Sequence, residues 1–202
     1  LPKIGVDYQI TPRIMVYASY SEGFKAGGFN GLSDTFRQLN SPFDAQKVKA
    51  YEIGFKSDFF DRKARLNVSA FFNDYGSIQQ QNVEKGVFST LNYSAKHKGV
   101  EAELNVRPIS GLTLWANGVY NDGTYGDAVG VEDAKFAGND MINVFKYQAT
   151  IGADLDLPLG NGNFIMGANY NMRADYFSTI DNNAMGHVPS TQLLAAYIGY
   201  EI

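Results

Sequence analysis

Few of the side chains in this cysteine-free sequence could do chemistry, and they fall in groups. Gly23-Phe24-Lys25, Phe29, Phe36-Arg37 and Phe43 set rings beside cations within one stretch. Such a set can grip an anionic ligand by stacking and charge. Asn73, Asp74, Tyr75 and Gln79 to Gln81 form a second, polar group, whose glutamines could hydrogen-bond a sugar or a chelate. The plainer readings are loop packing for the first group, loop-surface polarity for the second, and an interfacial aromatic for Tyr75. His97 and His187 have no second histidine or carboxylate at ligand spacing, so no metal site is expected. Ser94 near His97 and Ser190 near His187 lie in no recognisable nucleophile setting, so no catalytic residue is expected. Without cysteine there is no thiolate zinc site, cysteine nucleophile or disulfide framework. The 17 basic and 21 acidic side chains leave a charge of -4, which argues against a phosphate-binding surface, and no nucleic-acid partner is expected. No cofactor is indicated.

The elements that carry these residues are strands. Val100, Ala102, Leu104 and Val106 alternate with Glu101, Glu103, Asn105 and Arg107, and Ala64 to Asn73 and Ala149 to Leu157 repeat the pattern. Strict period two marks a strand with one apolar and one polar face, and no segment has a 3.6 period. Less regular runs cover about 3–10, 13–20, 49–58, 112–121, 163–171 and 192–202, for nine strands of roughly ten residues. Four connections are short turns (Ile10-Thr11-Pro12, Phe60 to Lys63, Pro108 to Gly111, Pro158 to Gly162). The other four, about 21–48, 76–96, 122–146 and 172–190, are long and rich in Gly, Asn, Asp and Ser. Short and long alternate throughout, so a meander would collect all turns at one end and all loops at the other.

Charged residues in mid-strand (Glu52, Lys56, Arg65, Glu101, Glu103, Arg107, Asp154) would be costly in a small dry core, whereas a watery lumen removes that cost. Aromatics gather near strand ends: Tyr8, Tyr17, Tyr20, Tyr51, Phe59, Phe60, Phe72, Tyr75, Tyr120, Tyr147, Tyr170, Tyr197 and Tyr200. Rings at both interfaces and an outward apolar band are the marks of a barrel in lipid. The expected fold is all-β: an antiparallel up-and-down transmembrane β-barrel segment, with residues 1–202 forming one partial barrel domain. A chain opening Leu1-Pro2-Lys3 is expected to be a mature protein or a fragment.

Beyond this generic pattern, Tyr17 to Asn30 (YASYSEGFKAGGFN) resembles the strand-and-loop passage of TonB-dependent outer-membrane receptors, where a Tyr-rich strand runs into Gly-Phe-Lys at the mouth. Tyr51 to Lys56 (YEIGFK), Ala70 to Tyr75 with Ile78-Gln79, and His97 to Leu104 (HKGVEAEL) resemble the next strands of that family, in the same order. The resemblance implies a 22-stranded barrel plugged by an N-terminal domain, of which this chain would be a C-terminal part lacking the plug and roughly the last two strands. It also implies a Gram-negative outer-membrane location and uptake of a ferric siderophore or similar scarce ligand. The energy would come from a TonB-type complex acting through a plug region outside this chain. Phe24, Lys25, Phe29, Phe36, Arg37, Tyr75 and Gln79 are then the candidate ligand contacts. A passive porin-type channel and an outer-membrane barrel enzyme are the rival readings.

Overall fold

A computed structural model describes residues 1–30, 42–84, 87–130 and 135–202. The strands in chain order are β1 (Lys3–Thr11), β2 (Ile14–Lys25), β3 (Gly28–Phe29), β4 (Pro42–Phe43), β5 (Gln46–Phe59), β6 (Ala64–Glu84), β7 (Val87–Val106), β8 (Leu112–Ala128), β9 (Tyr147–Leu159), β10 (Gly162–Arg173), β11 (Tyr176–Phe177), β12 (His187–Val188) and β13 (Thr191–Glu201). Nine of them form one antiparallel sheet in the order β1-β2-β5-β6-β7-β8-β9-β10-β13, an up-and-down meander. The short pairs β3–β4 and β11–β12 sit within the first and last long loops.

Directly paired residues share a face, so the register divides the side chains into two sets. One row reads Val6, Ala18, Ile53, Ala70, Val100, Tyr120, Tyr147, and a lower one reads Leu104, Ala116, Ile151, Tyr170, Leu194. Across these rows the face is apolar apart from Ser57, and Ile53 is 61% exposed on it with no protein cover. The opposite face carries Asp7, Ser19, Glu52, Ser69, Glu101, Asn117, Thr150, Asn169 and Asp154. An apolar exterior and a polar interior follow as the two faces of a membrane-spanning wall.

The aromatic assignments divide. Tyr20, Tyr51 and Phe72 are direct cross-strand neighbours on the outer face, with centroids 5.0 Å and 6.2 Å apart, and Tyr120 and Tyr147 continue the belt one pair lower. The downward step matches strands tilted against the membrane normal. Tyr8, Phe59 and Tyr200 lie on the same face near the short turns. Tyr17, Tyr75 and Tyr197, also expected in the girdle, have the other parity and face the lumen. Tyr17 and Tyr20 are three residues apart, and period two sends them to opposite sides.

The second long connection is another departure from the sequence expectation. Instead of a loop over 76–96, β6 and β7 stay paired up to Glu84↔Val87, forming a hairpin that rises well above the girdle. Polar Gln79 to Gln81 satisfy their backbone groups in the ladder, which apolar alternation could not reveal.

Candidate functional site

The buried core lies at the long-loop end, not within the wall. A bulge between Tyr75 and Ile78 on β6, and another between Tyr125 and Ala128 on β8, opposite Tyr93 and Ala95 of β7, re-aim the strands above the girdle. Ile78, Tyr93, Ala95 and Tyr125 then gather with Phe136, Met141 and Ile180 from the last two long loops. The Tyr93 ring is 0% exposed and meets Tyr125 and Phe136 edge-on, at centroid distances of 6.1 Å and 5.9 Å. Burial pushes the Tyr125 phenol above its ordinary range, while its oxygen accepts from the Ile142 amide at 3.3 Å.

Asparagine side chains lock these loops together. Asn182 Oδ1 accepts from the Asp140 amide at 2.7 Å and its Nδ2 donates to Asp140 O at 3.1 Å, while Asn139 Nδ2 donates to Ile180 O at 2.8 Å. The first loop is pinned to the hairpin in the same manner. Asn30 Oδ1 accepts from the Thr90 amide at 2.6 Å, and Asn92 Oδ1 accepts from the Asp44 amide at 2.8 Å while its Nδ2 donates to Asp44 O at 3.0 Å. Each staple satisfies backbone groups that no sheet ladder reaches.

Beneath this cap the lumen wall is polar. Ser19, Ser21, Glu52, Ser69, Phe71, Asn73, His97 and Glu101 line a hollow of about 350 Å³. Phe71 and His97 meet edge-on with centroids 5.0 Å apart, and the His97 ring hydrogen-bonds Asn121 Oδ1 at 3.3 Å. Asn121 Nδ2 in turn donates to Phe145 O at 3.3 Å, tying wall to cap. Tyr17 donates to Glu52, and deeper in the lumen Asp154 accepts from Trp115 Nε1 at 2.6 Å and Tyr197 Oη at 2.9 Å. Four of the wall's rings (Tyr17, Phe71, Trp115, Tyr197) lie directly opposite a glycine (Gly54, Gly99, Gly152, Gly167). The absent Cβ leaves the ring room to lie flat over the neighbouring backbone. The surface is suited to a polar ligand, through carboxylate and amide hydrogen bonds and ring edges.

Of the seven residues singled out from the sequence, the five that the structure describes do not converge. Phe24, next to last in β2, lies on the outer face, 58% exposed, while Lys25 at the strand end takes the lumen side. Phe29 is 69% exposed in the β3–β4 pair. Phe36 and Arg37 lie outside the described residues. Tyr75 packs against the apolar cluster, and desolvation raises its phenol pKa. The Gln79 amide donates to Ala26 O at 2.7 Å and Asp44 O at 3.0 Å, so it holds the first loop in place. Phe71 and Asn121 were missed and His97 was weighed only for metal binding and catalysis, although all three share the odd-numbered parity of Glu101 across the ladder. The two histidines meet Asn121 and Asp175, the latter at 2.8 Å, so a carboxylate does adjoin His187, twelve residues away in sequence. Ser94 Oγ donates instead to Asp127 O at 3.3 Å. Among the described residues, no three metal-binding side chains are grouped.

The family described as "TonB dependent receptor-like, beta-barrel" matches residues 1–202. The chain is 25% identical over 151 residues to the metal-pseudopaline receptor of Pseudomonas aeruginosa, covering 74% of this chain and 20% of that protein. It is 27% identical over 181 residues to the ferrichrome outer membrane transporter/phage receptor of Escherichia coli K12, covering 86% and 23%. It thus spans about a fifth of the length of these relatives. Among solved structures, the ferric yersiniabactin uptake receptor of Yersinia pestis superposes with a TM-score of 0.81 at 20% identity, over 98% of this chain and 29% of that one. The ferric preacinetobactin receptor of Acinetobacter baumannii gives 0.74 at 22%, over 98% and 29%.

Proposed function

From the premise that the chain belongs to the TonB-dependent receptor β-barrel family, we propose that it forms a sector of an outer-membrane receptor taking up a ferric siderophore or similar scarce chelate. The observation that carries this reading is a locked cap of loops above a polar, ring-edged lumen wall. A ligand held at such a mouth meets carboxylates, amides and a histidine before it meets the deeper lumen. The curated relatives are receptors for metal-pseudopaline and ferrichrome, which supports a metal chelate as the ligand class. In the closed barrel the free edges of β1 and β13 pair with further strands, since unpaired backbone in lipid costs several kcal/mol per group. Energy reaches the site from a TonB-type complex through the plug region, and the barrel works in the Gram-negative outer membrane.

The test is growth of a strain deleted for the full gene under iron limitation, with single ferric chelates as the iron source. Loss of growth on one chelate, restored by the intact gene but not in a strain without the energising complex, is the expected result. Uptake that persists without that complex would assign the barrel to passive diffusion instead. Unchanged growth on every chelate would remove the siderophore assignment.

A further inference from the structure

His97 stands one residue pair above the aromatic belt on the lumen face, in the row Asn73, His97, Gly123. Its ring meets Phe71 edge-on, and its Nε2 lies 3.3 Å from Asn121 Oδ1. Which ring nitrogen carries the proton follows from Asn121. The Asn121 Nδ2 group donates to Phe145 O at 3.3 Å, so the amide presents its oxygen to the imidazole. An amide oxygen only accepts, hence Nε2 bears the hydrogen and Nδ1 keeps the lone pair. Asn121 is itself 8% exposed, and its backbone N–H donates to Lys146 O at 2.8 Å, so the clamp is fixed at both ends. Among the described residues nothing donates to His97 Nδ1, and the atom is open to solvent.

A histidine with one nitrogen held by an acceptor and the other left free has the arrangement of a metal ligand with its outer support. The hollow that it lines offers carboxylates, hydroxyls and an amide from Glu52, Glu101, Ser19, Ser21 and Asn73. No lysine or arginine lines it among the described residues, so a positive centre is favoured there over an anionic one. We propose that His97 Nδ1 coordinates a divalent transition metal carried in by its chelator, the ligand being a nickel, copper or zinc chelate with a coordination position open. Imidazole suits these ions. The nitrogen lone pair enters the open position and a water leaves it, with no proton or electron exchanged. The ion is cargo, and this chain supplies a single ligand to it, in keeping with the lack of any cluster of three metal-binding side chains among the described residues. The assignment rests on the reading of the chain as part of a metal-chelate receptor, and it narrows the class of chelate.

The experiment uses the full-length protein without a histidine tag, in neutral detergent, with isotope-labelled histidine. The probes are cupric nitrilotriacetate, which leaves a position open, and cupric EDTA, which leaves none. Pulsed electron paramagnetic resonance reads the nitrogens bound to copper. An imidazole signal is expected with the first probe and none with the second. His97→Gln should weaken binding of the first probe by roughly tenfold or more and remove that signal. Asn121→Ala, which releases the clamp, should weaken binding by roughly tenfold, and keeps the test standing if His97→Gln fails to fold. His187→Gln, at the ring that meets Asp175, should change nothing. The proposal is overturned by a wild type without the imidazole signal, by binding unchanged in both the His97 and Asn121 variants, or by an equal loss in His187→Gln. Equal binding of the EDTA complex would mean recognition without coordination, and overturns it too. The growth test separates the two readings. Uptake that needs no energising complex removes the receptor, whereas an energised receptor without the copper–imidazole signal loses only the role of His97.

Discussion

Substituting Gly152 by alanine should destabilise the barrel, and should do so only while Trp115 is present. The two residues are direct cross-strand partners on the lumen face of β8 and β9. A Cβ built at Gly152 would lie 3.0 Å from the indole nitrogen and closer still to the ring carbons. Real carbon contacts are not that short, so the ring must lift and lose its 2.6 Å hydrogen bond to the Asp154 carboxylate. A hydrogen bond to a charged acceptor contributes about 1.5–3 kcal/mol, and the group is half-buried, so we take about 1.5–2 kcal/mol. Removing a strand glycine returns about 0.5–1 kcal/mol. The net cost of Gly152→Ala is then about 1 kcal/mol. In a Trp115→Ala background the same substitution should stabilise by about 0.5–1 kcal/mol, giving a coupling of about 1.5–2 kcal/mol. The cycle is measured by equilibrium unfolding of the full-length protein in lipid vesicles. Equal effects of Gly152→Ala in both backgrounds would refute the ring-over-glycine account.

Three further outcomes are expected. Ile151→Arg, midway along the exposed apolar face, should cost about 2–4 kcal/mol of folding free energy in vesicles, whereas Asn67→Arg on the lumen face should change it by under 1 kcal/mol. Asn182→Ala removes hydrogen bonds to Asp140 and should raise amide exchange across both 135–145 and 178–186, while exchange in β9 and β10 stays unchanged. Asp175, outside the membrane, has its carboxyl held below the usual carboxylate range by its hydrogen bond with His187. The folded-state value is depressed, so the linked stability is present above the ordinary aspartate pKa and is lost as pH falls through the lower folded value. The Ser178–Gly186 hydrogen bond should therefore keep its exchange protection down to about pH 4 and weaken below it, and Asp175→Asn should abolish that acid-side loss.

Alternation along single strands was enough to determine that the chain is a nine-stranded meander with one apolar and one polar face, because the two-residue period of a strand is a local property of the backbone. Glu101 and Val100 already stand on opposite faces in the linear order, and turn residues such as Pro108 and Gly111 mark where a strand ends. Which end of a strand an aromatic serves depends on the neighbours paired with it. Tyr17 therefore reads like Tyr20 in the sequence, yet lies over Gly54 in the lumen. The candidate contacts were the least legible, because loops are held by side chain to backbone bonds between distant segments. Asn92 meeting Asp44 and Asn182 meeting Asp140 leave no periodic trace. The bulges at Tyr75–Ile78 on β6 and Tyr125–Ala128 on β8, which swing polar strands into an apolar cap, exist only once β6, β7 and β8 are in register. Local periodicity thus determined the wall, and only tertiary pairing decided what stands at its mouth.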